Sequence, residues 1–259
     1  MKPLMTAALA AALMAPLAGT ATAEAAAYPV KHPKLIANPL YDAGPLPTTT
    51  CTEPEVKKGD RKLVRAYVDA VIACLETAWE QHLTGANLTY SKIKVRHVAK
   101  IPKTCGFKPM KDDSQMWYCE KNSTLFVQIG KAWLTDPGDL WLFETTAYMY
   151  GYHVQNLTGI QVGYDAVRYR NNAEYFEQER RYRLQKDCLA GAFLKSVWPM
   201  EGRTTKDWDY YLSMIVGDAR GEDRDEGKVA TRRAWSKRGF ATGDPGSCNT
   251  WTAASSKVA

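Results

Sequence analysis

The chain has 259 residues, a formal net charge of +6, and 45% hydrophobic against 24% charged side chains. That length supports a substantial buried core, in one large domain or two small ones. Basic and acidic residues are interleaved, as in EQERRYRLQKD and GEDRDEGKVATRR, so the surface reads as solvated and mixed, with no nucleic-acid-binding stripe.

Lys2 precedes an apolar run, LMTAALAAALMAPLAG, which gives way to the small residues Thr20-Ala21-Thr22-Ala23. This is the pattern of a secretory signal peptide over residues 1–23, with cleavage expected near Ala23 and the Ala-rich residues up to Ala27 as alternatives. Pro16 and Gly19 interrupt the run and disfavour a membrane span, and no cysteine follows it to carry a lipid. The expected location is therefore outside the cell, with no integral membrane anchor.

Residues 24–58 are rich in Pro, Thr and Ala, show little periodicity, and read as an extended or flexible lead-in. From Asp60, a plausible N-cap, Leu63, Tyr67, Val71 and Leu75 form one helical stripe that Gly85 closes. Ile93, Val95 and His97 alternate with basic residues as a strand. Met116 to Tyr118 and Thr124 to Val127 flank a polar turn and predict a hairpin. After the breaker Thr135-Asp136-Pro137-Gly138, helices are expected over about 140–157 and 172–197, with shorter ones near 206–216 and 228–237. The chain thus reads as one α+β domain over 59–251, followed by a disordered tail at 252–259.

All six cysteines, Cys51, Cys74, Cys105, Cys119, Cys188 and Cys248, follow the leader, and an oxidising compartment predicts three disulfides. Local spacing favours Cys105–Cys119 across a hairpin. The rest then pair most simply as Cys51–Cys74 and Cys188–Cys248, although spacing alone leaves the connectivity open. A structural metal site is the rival, and it is disfavoured because no CxxC occurs.

The segment Leu142–Ile160, LFETTAYMYGYHVQNLTGI, resembles HEYGHHVQNLxGI of the bacterial neutral zinc metallopeptidase family. Tyr148 stands at the motif's first histidine, Met149 at its glutamate and Tyr152 at its second histidine, while Gly151, His153, Val154, Gln155, Asn156 and Leu157 match. A second segment, Arg183-Leu184-Gln185-Lys186-Asp187-Cys188-Leu189-Ala190-Gly191, resembles the family's ELQADCxAG, with Arg183 at the glutamate taken as third zinc ligand. Cys105-Gly106, Met116 to Cys119, Ile215 to Asp218, Arg232, Trp235, Gly239-Phe240, Gly243-Asp244 and Cys248 extend the likeness over roughly residues 60–251.

The resemblance implies a zincin-like fold, a small sheet packed on a helical core, with zinc held by two histidines one turn apart and a glutamate acting as general base. This chain departs from it at all four positions. A tyrosine phenol must lose a proton near pH 10 to bind metal well, methionine accepts no proton in the useful range, and a guanidinium repels a dication. Asp187, Glu174 and Glu177 are the carboxylates that could stand near the former site, but Arg183 and Lys186 oppose a dication there. His32, His82 and His97 sit at no ligand spacing, and His153 reads as structural. The expectation is a secreted pseudopeptidase with no cofactor that binds a peptide, a cell-wall component or a related peptidase. The alternatives are an active metalloendopeptidase with unorthodox ligands and a purely structural secreted domain.

Overall fold

The computed structural model describes residues 30–107, 113–221 and 223–259, so the expected signal peptide lies outside the described residues. The chain opens with a four-residue helix α1 (Pro33–Ile36) and a 3-10 turn at Pro39–Asp42. Helix α2 (Arg61–Gly85) begins where expected, because the Asp60 carboxylate accepts from the backbone N–H groups of Lys62 and Leu63. Its apolar stripe buries Val64, Tyr67, Val68, Val71, Leu75 and Trp79.

Strands β1 (Lys94–His97), β2 (Gln115–Cys119) and β3 (Thr124–Gln128) form a sheet in the order β1-β3-β2. β2 and β3 make the expected antiparallel hairpin, with Trp117 opposite Phe126, while β1 joins β3 in parallel. Alternation divides the two faces. Tyr118, Leu125 and Val127 enter the main core, whereas Cys119 and Phe126 close a smaller cluster with Ile101 and Phe107.

The helical body follows: α3 (Lys131–Thr135), α4 (Leu140–Leu157), α5 (Ile160–Ala166), α6 (Asn172–Val197), α7 (Thr205–Met214) and α8 (Val229–Thr242). Side chains of Asp139 and Asn171 cap α4 and α6, and Thr204 with Asp207 makes a capping box on α7. α6 lies against both α4 and α8. Phe143 of α4 stacks on Phe193 of α6 with ring centroids 5.7 Å apart. At the α6–α8 crossing two glycines meet: a Cβ on Gly191 would run into the backbone of Ser236, and one on Gly239 into that of Cys188. Only residues without a Cβ allow that approach.

Three disulfides join Cys51–Cys74, Cys105–Cys119 and Cys188–Cys248. Cys105–Cys119 ties the loop before β2 to the end of that strand instead of bridging the two arms of the hairpin. Two sequence expectations are corrected. Over residues 30–58 the lead-in is docked: Leu35 and Leu40 are fully buried, and the backbone N–H groups of Leu46 and Thr49 donate to Gly243 and Ser196. The segment at 252–259 is held as well. Val258 is buried, its carbonyl accepts from Arg180 at 2.7 Å, and that of Lys257 accepts from the Trp235 indole at 2.9 Å. Both segments lack periodicity because they follow the surface of the body, and their few apolar residues drop into it one at a time. Among the described residues no helix is long and apolar enough to cross a membrane.

Candidate functional site at the α4–α6 crossing

The residues that match the two motif segments bind α4 and α6 to each other and to the elements around them. Gln155 of α4 donates to Gln185 of α6 at 2.8 Å and to the Tyr182 carbonyl at 3.0 Å. Asn156 donates to the Tyr118 hydroxyl and to the Glu120 carbonyl, locking α4 to the hairpin. His153 is fully buried between the Tyr118 hydroxyl, 2.9 Å from Nδ1, and the Ser91 carbonyl, 2.8 Å from Nε2. A carbonyl only accepts, so Nε2 carries the proton and the tyrosine donates to Nδ1. Burial lowers the His153 pKa further, and this imidazole is a neutral structural bridge. Asp187 receives a two-pronged bond from Arg232 of α8, at 3.0 Å on each oxygen, and Cys188 is bonded to Cys248.

Within this frame the positions of interest converge. The rings of Tyr148 and Tyr152, one helical turn apart, meet edge to face at 6.3 Å. Tyr152 also stacks parallel to Tyr118 at 6.4 Å and lies 5.6 Å from Tyr182. Between them enters Lys186, three residues beyond Arg183 and so on the same face of α6. Its Nζ stands 3.0 Å from the centre of the Tyr152 ring and 4.2 Å from that of Tyr148. The Lys186 side chain is completely buried, and Nζ has no hydrogen-bond partner among the described residues. Gly151 makes room for its stem: a Cβ there would stand 3.0 Å from Lys186 Cγ and 3.1 Å from its Cβ. Met149 turns into the main core.

Arg183 faces outward from the cage into the segment between α7 and α8. It bonds Asp225 at 2.9 Å and pairs with Glu226, with Glu179 at 3.4 Å behind it. Glu226 also meets Arg232 at 3.3 Å, and the Arg232 guanidinium lies 5.8 Å from the Tyr148 ring. The acidic segment is itself folded, because Asp218 accepts from the backbone of Glu226 and Gly227. An open hollow of about 500 Å³ lies beyond, lined by Gly217, Asp218, Gly221, Asp223, Asp225 and Glu226.

Burial dominates the electrostatics. It holds both phenols in their protonated form, Tyr148 well above the usual tyrosine range and Tyr152 at about 12. Burial is the largest single influence on Arg183 and disfavours its charged guanidinium, but Glu226 and the other acidic neighbours together outweigh it and raise its pKa. Lys186 is pushed well below the usual lysine range by burial and then by Arg183, with Glu226 and Asp187 opposing.

The other carboxylates named from sequence do not assemble here. Glu174 binds Arg170 at the start of α6, and Glu177 binds Arg181, the two being about 14 Å and 9 Å along the helix from Arg183 at 1.5 Å per residue. His97 pairs with Asp69 on the surface at 2.7 Å, and His82 is buried against Trp79. Sequence reading placed Lys186 only as an opponent of a dication and missed that it fills the cage. Its i,i+3 relation to Arg183 was the available signal.

The scaffold is a small sheet beside a motif helix crossed by a second long helix, and family membership makes the chain a metallopeptidase-related protein. A family model described as "Putative neutral zinc metallopeptidase" matches residues 28–251, and the chain belongs to that family. The match reaches back through the docked lead-in, earlier than the residue 60 at which the likeness was expected to begin. The relatives include the uncharacterized protein YpfJ of Escherichia coli K12, 28% identical over 208 residues, covering 71% of this chain and 70% of that protein. The uncharacterized protein Rv2575 of Mycobacterium tuberculosis H37Rv is 26% identical over 227 residues, covering 74% and 72%. No solved structure matches.

The residues at the crossing do not fit the family's zinc. Two protonated phenols offer weak donors. Arg183, at the position expected for a third ligand, is a guanidinium already spent on carboxylates, and an amine occupies the space between the rings. Among the described residues no group of three or more His, Cys, Asp or Glu side chains is placed to hold a metal ion.

Proposed function

We propose that this chain is a secreted, metal-free member of the neutral zinc metallopeptidase family that binds its partner without hydrolysing it. One observation carries the reading: the Lys186 amine lies over the rings of Tyr148 and Tyr152, the residues at the motif's two histidines. Hydrolysis in this family type needs an activated water and a base beside it. Here Met149 offers no base and is turned into the core, and Arg183 is tied to Asp225 and Glu226. Three disulfides support an oxidising location outside the cytoplasm. The role left to the scaffold is recognition, with a peptide, a cell-wall component or an active relative as the partner.

The test uses the native mature protein, with zinc measured by elemental analysis and casein hydrolysis followed with and without a chelator. The expected outcome is substoichiometric zinc and no chelator-sensitive cleavage. Stoichiometric zinc together with chelator-sensitive cleavage overturns the proposal.

A further inference from the structure

Lys186 projects from α6 across Gly151 of α4, and its Nζ ends among three aromatic faces, 3.0 Å from the ring centre of Tyr152, 4.2 Å from Tyr148 and 5.7 Å from Tyr182. No carboxylate reaches it within ion-pair distance among the described residues, and none of its hydrogens has an acceptor there. A fully buried amine with neither partner is costly unless something else stabilises its charge. The negative faces of electron-rich rings do so, most strongly when water is excluded. Around the cage, Arg183 and Arg232 face Asp187, Asp225 and Glu226, and Glu179 stands behind Arg183. Two guanidinium charges against these four carboxylates leave the cluster two positive charges short. A protonated Lys186 supplies one of them, because the ring faces, Glu226 and Asp187 oppose the burial and the Arg183 charge that lower its pKa.

We infer that Tyr148, Tyr152 and Tyr182 form a binding cage for an alkylammonium group, which the chain fills with its own Lys186, and that this tethered monocation stands where the family holds its metal ion. The inference rests on the metal-free reading of the site. It adds a ligand class, since the cage selects a compact organic cation and offers a dication no anionic donor. The lysine keeps a positive charge at the α4–α6 crossing that needs no uptake from solution.

Two measurements test it. Lys186→Ala deletes a propylammonium-sized piece of the side chain, so n-propylammonium chloride is the matching probe. Thermal unfolding of the variant is expected to rise saturably, by about 3–5 °C at roughly ten times the apparent Kd, with no such rise for the parent chain. Sodium chloride at equal ionic strength, zinc chloride and 1-propanol are expected to give no comparable shift, and adding Tyr152→Leu is expected to abolish the rescue. Rescue by 1-propanol equal to that by the ammonium, or no rescue at all in a folded variant, overturns the cage. The second measurement needs no variant. In the parent chain labelled with isotopic lysine, one lysine is expected to show ring-shielded ε-methylene protons and an ammonium charge state at pH 7. Lysines all unshielded, or a shielded lysine that is a neutral amine, overturn it as well. Zinc in the native protein would sink the metal-free reading separately, through elemental analysis, so the two failures are distinguishable.

Discussion

Glu144 is a second buried ionisable side chain without a hydrogen-bond partner among the described residues. It is fully buried on α4, and neither carboxylate oxygen has a hydrogen-bond partner among the described residues. Burial first, and then the Asp187 carboxylate, push its pKa up to about 8. A folded-state pKa above the unfolded value of roughly 4.5 means that its contribution is fully present below pH 4.5 and is lost as pH rises through 8. Glu144→Gln keeps the neutral shape and removes the titration. The variant is expected to gain on the parent by several degrees in Tm between pH 5 and pH 9. A Tm difference that stays flat over that range would mean that Glu144 carries no anomalous proton. His153 acts with the opposite sign, since its lowered pKa costs stability as pH falls below about 6.5, and that cost is common to both proteins. Neither effect is legible in the chain. Glu144 looks like one more polar residue on an amphipathic helix, and what makes it unusual comes from α6 and the helices packed around it.

At the scale of elements, helices α4 and α6 explain why scaffold and chemistry part company. Gln155 with Gln185, Asn156 with Tyr118, Asp187 with Arg232, and Cys188 with Cys248 all hold element to element, and none needs a metal. Tyr148 and Tyr152, at the positions expected to match the motif's histidines, project into the space these pairs frame, where they can change without unpicking them. The bounds of both helices were readable from the breaker before α4 and the local sequence pattern, and the structure adds the Asp139 and Asn171 caps that fix their starts. The filling of the frame was not, since Lys186 must be followed across to another helix to learn what it touches. Restoring Tyr148→His, Met149→Glu, Tyr152→His and Arg183→Glu is therefore expected to leave zinc affinity weak, because the lysine amine still stands between the new imidazoles. Adding Lys186→Ala is expected to give near-stoichiometric zinc by elemental analysis after desalting. A folded five-fold variant that takes up no zinc would break the correspondence between these positions and the motif.

Over the whole molecule, the helical body is closed by segments that look like loose ends in the sequence. The docked stretch 30–58 reaches α2 through Cys51–Cys74, and Cys188–Cys248 ties α6 to the turn after α8 across 60 residues of chain. Chain-entropy arguments assign about 4 kcal/mol to a loop of that length and about 3 kcal/mol to one of the size closed by Cys105–Cys119. Replacing Cys188 and Cys248 by Ala also removes two fully buried side chains from the crossing of α6 and α8. That double variant is expected to lose more than the Cys105→Ala/Cys119→Ala pair in thermal unfolding monitored by circular dichroism. The reverse order would show that the α6 staple is not what holds the body closed.

The amino-acid sequence by itself determined the α+β class, the limits of the long helices and the family, and its spacing favoured the three cysteine pairs while leaving the connectivity for the structure to decide. Each of these is written in local periodicity, capping or motif spacing, which short-range backbone physics reads directly. Only the tertiary structure decided that the lead-in and the tail are docked, that Arg183 turns away toward Asp225 and Glu226, and that Lys186 lies among the tyrosines. Those outcomes depend on what two helices distant in sequence present to each other once packed, where burial and charge balance, more than local preference, set the energy.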